Sequence, residues 1–273
     1  MLLNEQELKT ARQQLLEDGF CIVDGHLPEG TIDMLRSWSD DWLQKVKHSK
    51  RWKYQGSDIY VGGIRHQAKH YPNHPKDEVV DMLIEQPKEI MAALGIADLH
   101  SGGIFQIISK PAHAPALYWH QDWGRWGDPI SMSPWPQQVF LNWYLTDTRP
   151  ENGCLRAIPG SHLRRLELHS HLIKPHEGGG YDVDEEDEWM FYDHPEAIDV
   201  PVKAGQLLIA DARLLHSTHP NHTEKRRTVL LGWFYRKSNE VPENWQGEVP
   251  PEILARDPEH PFVFEREPGD YLR

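Results

Sequence analysis

Near Gly103 the apolar residues of this chain change their spacing, and that change restricts the folds available to it. Before it, apolar side chains recur every three to four residues. Leu8, Ala11 and Leu15 follow a capping pair, Asn4 and Glu7, with Gly19 placed to end the helix. Leu35, Trp38, Trp42 and Val46 mark a second helix from Thr31 to about Lys47. A third lies in "KDEVVDMLIEQPKEIMAALG", interrupted near Pro87, and "FCIVDG" reads as a short buried strand. After Gly103 come "GIFQIISK", "QQVFLNWYLTD", "GCLRAIPG", "AIDVPVKAGQLLIAD" and "TVLLGWFYRK", short β-rich runs separated by Pro, Gly and Asn turns. Helices followed by a run of strands predict an antiparallel β core with helices packed on one side.

No internal repeat or interdomain linker divides the 273 residues, so a single domain is expected. It comprises a helical part at about 1–100, a β core at about 101–237 and an extended Pro-rich tail at about 238–273. Glu167 to Asp199 interrupts the core with "GGG" and the acidic run "DVDEEDE"; it reads as a solvated loop or as a lid. Eleven Trp among 38% hydrophobic residues supply enough apolar area for a packed interior.

The formal charge of -13 argues against nucleic acid or an anionic membrane as partner, and leaves room for a local basic pocket that holds a small anion. Cys21 and Cys154 are too few and too far apart for a disulfide framework, and neither reads as catalytic; Cys154 reads as a small buried hydrophobe. No apolar run approaches a membrane span, and "MLLNEQELKT" lacks the pattern of a leader, so a cytoplasmic protein is expected.

The chemistry concentrates in "LYWHQDWGRWG", Leu117 to Gly127. Residues i and i+2 of a strand share a face, so His120 and Asp122 can present an imidazole and a carboxylate to one ion while Gln121 points away. Two histidines and a carboxylate on one octahedral face suit iron and leave three positions open. The third ligand should come from "LLHSTHPNHTEKRRTVLLGWFY". His216 follows the apolar run "QLLIADARLL" and is the choice, with His219 as fallback. Alternation with Val229 and Leu231 places Arg227 on the interior face, where its planar fork can grip a carboxylate.

"EDGFCIVDGHLP", "ISKP", "WHQD", "NGCLRAIPGSH" and "LLHSTHPNHTEKRRTV" occur in this order from about Gly19 to Val229. The ordered set resembles the phytanoyl-CoA dioxygenase family of non-haem iron(II), 2-oxoglutarate-dependent oxygenases, and more loosely its ectoine hydroxylase branch. The resemblance implies a mainly β fold with flanking helices around a double-stranded β-helix (jelly-roll, cupin-like) core. It implies that His120, Asp122 and His216 bind iron(II). It also implies that Arg227, eleven residues after His216, holds the distal carboxylate of 2-oxoglutarate. The reaction so implied consumes O2, decarboxylates 2-oxoglutarate to succinate and hydroxylates a C–H bond of a small-molecule substrate. Halogenases of this fold lack the carboxylate ligand, so the presence of Asp122 disfavours halogenation, while desaturation stays open.

Other residues carry paired readings. Gln121 contacts the co-substrate or is a polar residue of the sheet surface. Ser109 and Lys110 border the co-substrate pocket, as in relatives, or are ordinary strand residues with an exposed lysine. Thr218 bonds the carboxylate held by Arg227 or only nearby backbone. Asn142 reaches the pocket or sits on a wet face. Trp123, Arg125 and Trp126 line a substrate entrance or fill the core. His162 is not expected to be a ligand. The alternatives to an oxygenase are a zinc hydrolase using the same three ligands, a non-catalytic cupin-like binder of a metal or small acid, and a sensor that does not turn over. The prime substrate and the oligomeric state are not legible.

Overall fold

The computed structural model describes residues 3–23, 27, 30–46, 53–54, 57–62, 76–124, 133, 135–172 and 188–236. Helix α1, Glu5–Glu17, begins with a complete capping box: the Asn4 side chain accepts from the Glu7 amide and the Glu7 carboxylate accepts from the Asn4 amide. It stops where Gly19 takes a positive φ of 89°. Strand β1, Phe20–Val23, and helix α2, Thr31–Val46, follow as their patterns predict. Pro87 separates α3, Lys76–Glu85, from α4, Lys88–Ala93, because proline cannot supply the amide a continuous helix needs.

Between α2 and α3 lie two strands that helical periodicity did not foretell: β2, Lys53–Tyr54, and β3, Ser57–Gly62. Strand β3 pairs with β4, Leu99–Lys110. So short a run carries little alternation of its own, and its partner defines it. The remaining strands are β5 (Leu117–His120), β6 (Gln138–Tyr144), β7 (Leu155–Ala157), β8 (Ile198–Val200), β9 (Leu207–Asp211), β10 (His216–Thr218) and β11 (Arg227–Arg236). The tail beyond residue 236 lies outside the described residues, as do "GGG" and most of the acidic run.

Two antiparallel sheets result, one of seven strands in the order β1-β9-β6-β11-β4-β3-β2 and one of four in the order β5-β10-β7-β8. Strand alternation assigns the faces of the larger sheet. Phe105, Ile107, Val139, Leu141, Trp143, Leu207, Ile209 and Leu230 pack against the buried faces of the helices. Phe140, Tyr144, Leu208, Ala210, Val229 and Leu231 point the other way and meet Leu155, Ala157 and Val200 of the smaller sheet. The interior between the sheets is therefore apolar on most of both walls, and polar side chains on it are conspicuous.

The chain changes sheets between β9 and β10. "QLLIADARLL" is not one continuous strand, as its apolar run suggests. It breaks after Asp211, whose carboxylate accepts from the Arg213 guanidinium at 2.6 and 2.9 Å in a fully buried pair. Arg213 also donates to the carbonyls of Ser133 and Trp135. This knot turns the chain so that His216 opens β10 in the four-stranded sheet. Among the described residues no helix is long and apolar enough to cross a membrane.

Candidate metal and co-substrate site

Strands β5 and β10 are neighbours, and their register sets His216 opposite His120. The two imidazoles stand 4.1 Å apart between ring centroids, with Phe140 of the larger sheet packed 4.8 Å from His216. Each His contacts, through Nδ1, the carbonyl oxygen two residues earlier: Tyr118 for His120 and Leu214 for His216, both at 2.9 Å. A carbonyl only accepts, so Nδ1 carries the proton and Nε2 is left as the lone-pair nitrogen on both rings. Burial holds the pKa of His216 down at about 4, against the opposing pull of the Leu214 carbonyl, so the ring is neutral near pH 7.

Asp122 lies past the end of β5, yet its Oδ1 comes within 3.8 Å of His120 Nε2. One ligand atom from each of His120, Asp122 and His216 lies within 4.8 Å of the others. Asp122 Oδ2 accepts a hydrogen bond of 2.7 Å from Trp233 Nε1 on β11, which turns the second carboxylate oxygen toward the histidines. Sequence reasoning missed Trp233. The signal was available, because Trp233 shares the parity of Arg227, Val229 and Leu231.

A second polar group forms where β4 and β11 pair Lys110 with Arg227. Arg227 is on the interior face, 5% exposed, and its Nη2 donates to the Gly153 carbonyl at 2.7 Å. Its Nε has no hydrogen-bond partner, and burial lowers the pKa of the guanidinium. Lys110 is 1% exposed, which overturns its reading as a surface lysine. Its ammonium donates to Thr218 Oγ1 at 2.8 Å and to the carbonyls of Pro115 and His219 at 2.7 Å each. Burial, then the neighbouring Arg227, brings the Lys110 pKa down to about 6. Among the described residues neither side chain has a carboxylate partner; a bound anion would favour the protonated Lys110 and offset the buried charge of Arg227. Gly153 makes room for the pair: its φ is +85°, and a Cβ there would lie 2.7 Å from Lys110 Cδ and 2.9 Å from the His219 carbonyl oxygen. Tyr144, raised to about 12 chiefly by burial, also lies on this wall.

Thr218 thus joins Lys110 and Arg227, two residues beyond His216. Asn142 sits on the interior face between Leu208 and Leu231, 8% exposed, and its Oδ1 has no partner. Other candidates go elsewhere. Gln121 turns away from the histidines, donating to the Arg213 carbonyl at 2.6 Å with the His169 imidazole at 3.1 Å. Ser109 is on the helix side of β4, where its hydroxyl meets Thr228 at 2.8 Å and accepts from Arg226 at 3.0 Å. Neither reaches the Lys110–Arg227 group, because adjacent strand residues face opposite ways and Lys110 and Asp122 take the interior. Trp123 is buried in an apolar cluster with Trp119, Trp135, Ile158 and Leu215 instead of lining an opening. Arg125 and Trp126 lie outside the described residues. His219 is not part of the triad; its ring contacts Asp199 at 2.5 Å. His162 is structural, with Nε2 3.0 Å from the Leu16 carbonyl at the end of α1.

The donor set fits the groups that the resemblance implies. Two imidazole Nε2 atoms and one carboxylate oxygen match a facial iron(II) triad, and the Arg227 Nε with no partner, beside Lys110, matches a buried carboxylate.

Comparison with known proteins gives the fold and the family. L-proline trans-4-hydroxylase of Streptomyces griseoviridis is 28% identical over 200 residues, 67% of this chain and 72% of that protein. The structure of the epimerase SnoN in complex with Fe3+, alpha ketoglutarate and nogalamycin RO superposes with a TM-score of 0.60 at 16% identity, covering 96% of each chain. EctD from S. alaskensis with bound Fe gives 0.56 at 15% identity, over 85% of this chain and 76% of that one. These structural likenesses establish the jelly-roll fold. A family model described as phytanoyl-CoA dioxygenase (PhyH) matches residues 15–229, well over half of the chain. By that match the protein belongs to the phytanoyl-CoA dioxygenase family, and it is an iron(II)- and 2-oxoglutarate-dependent dioxygenase that uses O2.

Proposed function

We propose that this protein hydroxylates an unactivated C–H bond of a small molecule, with His120, Asp122 and His216 holding iron(II) and Arg227, Lys110 and Thr218 holding the distal carboxylate of 2-oxoglutarate. The observation that carries the reading is the buried Lys110–Arg227 pair, which has no carboxylate partner among the described residues and is linked to strand β10 of the triad through Thr218. When bound, iron and 2-oxoglutarate supply the oxidative decarboxylation that activates O2. The protein's own part is to orient and to exclude water. The Tyr118 and Leu214 carbonyls fix both imidazoles in one tautomer, and Trp233 fixes the carboxylate. Phe140, Val229 and Leu231 keep the surroundings apolar. Asn142, with its Oδ1 without a partner on the same wall, is the polar contact offered to the substrate.

The chain is read as one domain, and the unpartnered Asn142 Oδ1 favours a substrate that carries a hydrogen-bond donor. The proline hydroxylase relative makes free amino acids the first compounds to try. Anaerobic titration of the apoprotein with iron(II) and 2-oxoglutarate should give a weak metal-to-ligand charge-transfer band in the visible. That band should vanish in His216→Ala and weaken in Arg227→Ala. A folded protein with no band and with stoichiometric zinc would move the assignment to a hydrolase. Succinate release that rises on adding a compound, together with its hydroxylated product, would identify the substrate.

A further inference from the structure

The four-stranded sheet has an outer face as well as the face that carries His120 and His216. Cys154 precedes β7, Asp199 lies in β8, and His219 follows β10, so three adjacent strands each contribute one residue. The register brings them together on one side. Arg156 is paired with both Asp199 and Ser217, and the His219 amide donates to the Cys154 carbonyl at 3.0 Å. Cys154, Arg156, Asp199, Ser217 and His219 therefore share the outer face, opposite Leu155, Ala157, His216 and Thr218.

The Cys154 sulfur, a carboxylate oxygen of Asp199 and a ring nitrogen of His219 all lie within 4.8 Å of one another. Cys154 is fully buried, yet it packs in none of the described apolar clusters, whereas Cys21 belongs to the large one beneath the helices. A buried thiol that faces an imidazole and a carboxylate is not simply a small hydrophobe. The three donors span soft, borderline and hard character, a combination that zinc accepts. Four-coordinate zinc with these ligands needs donors roughly 3.3–3.8 Å apart, from bond lengths of about 2.0–2.3 Å. The Asp199 side chain is 44% exposed, so it can retreat from its 2.5 Å contact with His219 to admit an ion, and solvent can reach the fourth position.

We propose that Cys154, Asp199 and His219 form a second divalent-cation site, of thiolate–imidazole–carboxylate type and suited to zinc, on the outer face of the smaller sheet. Binding replaces the thiol proton with the metal, and the proton leaves to solvent. The site is separate from the iron triad but touches the co-substrate group through the backbone. The His219 carbonyl accepts from Lys110, and the carbonyl of Gly153, next to Cys154, accepts from Arg227.

Cobalt(II) is a suitable probe, because a thiolate ligand gives it an intense near-ultraviolet charge-transfer band. The titration is done on the full chain carrying His120→Ala and His216→Ala, so that the iron triad is not read and its own assignment does not matter. One equivalent of cobalt with a thiolate band is expected, and added zinc should displace it. The band should be lost in Cys154→Ser, and cobalt affinity should fall at least tenfold in Asp199→Ala, a change at an exposed side chain that leaves the packed interior intact. A protein with native circular dichroism and no thiolate band overturns the proposal. So does a band that survives Cys154→Ser, or affinity unchanged in Asp199→Ala.

Discussion

Trp233 on β11 holds Asp122, at the end of β5, by a 2.7 Å hydrogen bond from its indole to the carboxylate Oδ2. Trp233 lies in the larger sheet and Asp122 follows a strand of the smaller one, so the bond sets the direction of the candidate metal ligand from across the barrel. Removing such an outer partner typically costs 10–100-fold in metal affinity. Trp233→Phe keeps most of the ring volume and should raise the Kd for iron(II) by about that factor, with little change in fold. Competition with a metal-indicator dye measures it. An unchanged Kd would show that Asp122 is oriented by something else.

Arg227→Ala should weaken 2-oxoglutarate binding by about 2–5 kcal/mol, the usual result of removing one partner from a buried charged hydrogen bond. Arg227→Lys should recover little, because a point charge cannot reproduce a planar fork. Calorimetric titration of the metal-loaded variants with 2-oxoglutarate gives the numbers. Equal affinity in Arg227→Ala and wild type would place the distal carboxylate elsewhere.

Burial pushes both His162 and His169 down to about 4. In the unfolded chain each takes up a proton near pH 6.5. The native state therefore binds fewer protons between about pH 6.5 and 4. The stability associated with neutral histidine is fully present above the unfolded value and is lost as pH falls toward the folded one. At about 1.4 kcal/mol per unit, the limit is on the order of 3 kcal/mol for each ring. The melting temperature of metal-free protein should drop across this window, and His162→Asn should flatten the drop. His216 contributes alike to both proteins, so their difference isolates His162. Parallel curves would contradict the buried neutral assignment.

The Asp211–Arg213 pair turns the chain from one sheet to the other. Burial alone would raise the Asp211 pKa, but the Arg213 charge and hydrogen bonds more than offset it and leave it lowered. Asp211→Ala leaves a buried guanidinium without its carboxylate and should cost about 3–5 kcal/mol. Denaturant unfolding measures this. A loss below about 1 kcal/mol would mean that the Ser133 and Trp135 carbonyls satisfy Arg213 by themselves.

The sequence made the fold class and most of the cluster legible for local reasons. Period and turn residues mark α1, α2 and the long strands, and parity alone puts Arg227 inside. What it hid depends on distant pairing. Strand β3 is a strand because β4 lies beside it, and the break after Asp211 rests on carbonyls from residues 133 and 135. Lys110 looks like a surface residue until Thr218, Pro115 and His219 surround its ammonium. Trp233 shows the limit most clearly: its parity was readable, but its contact with Asp122 requires knowing that β5 and β11 face each other.

That facing arrangement divides the candidate site between the two sheets. The paired histidines and Thr218 ride on the smaller sheet, whereas Arg227, Lys110 and Trp233 ride on the larger one. On the proposed assignment, a metal ion and a dicarboxylate bound between them would act as rivets through both layers. Ligands that bind the native but not the unfolded state stabilise the native state by mass action. Loading the enzyme would therefore tighten the seam of the barrel itself, and removing either ligand should let the two layers part more readily.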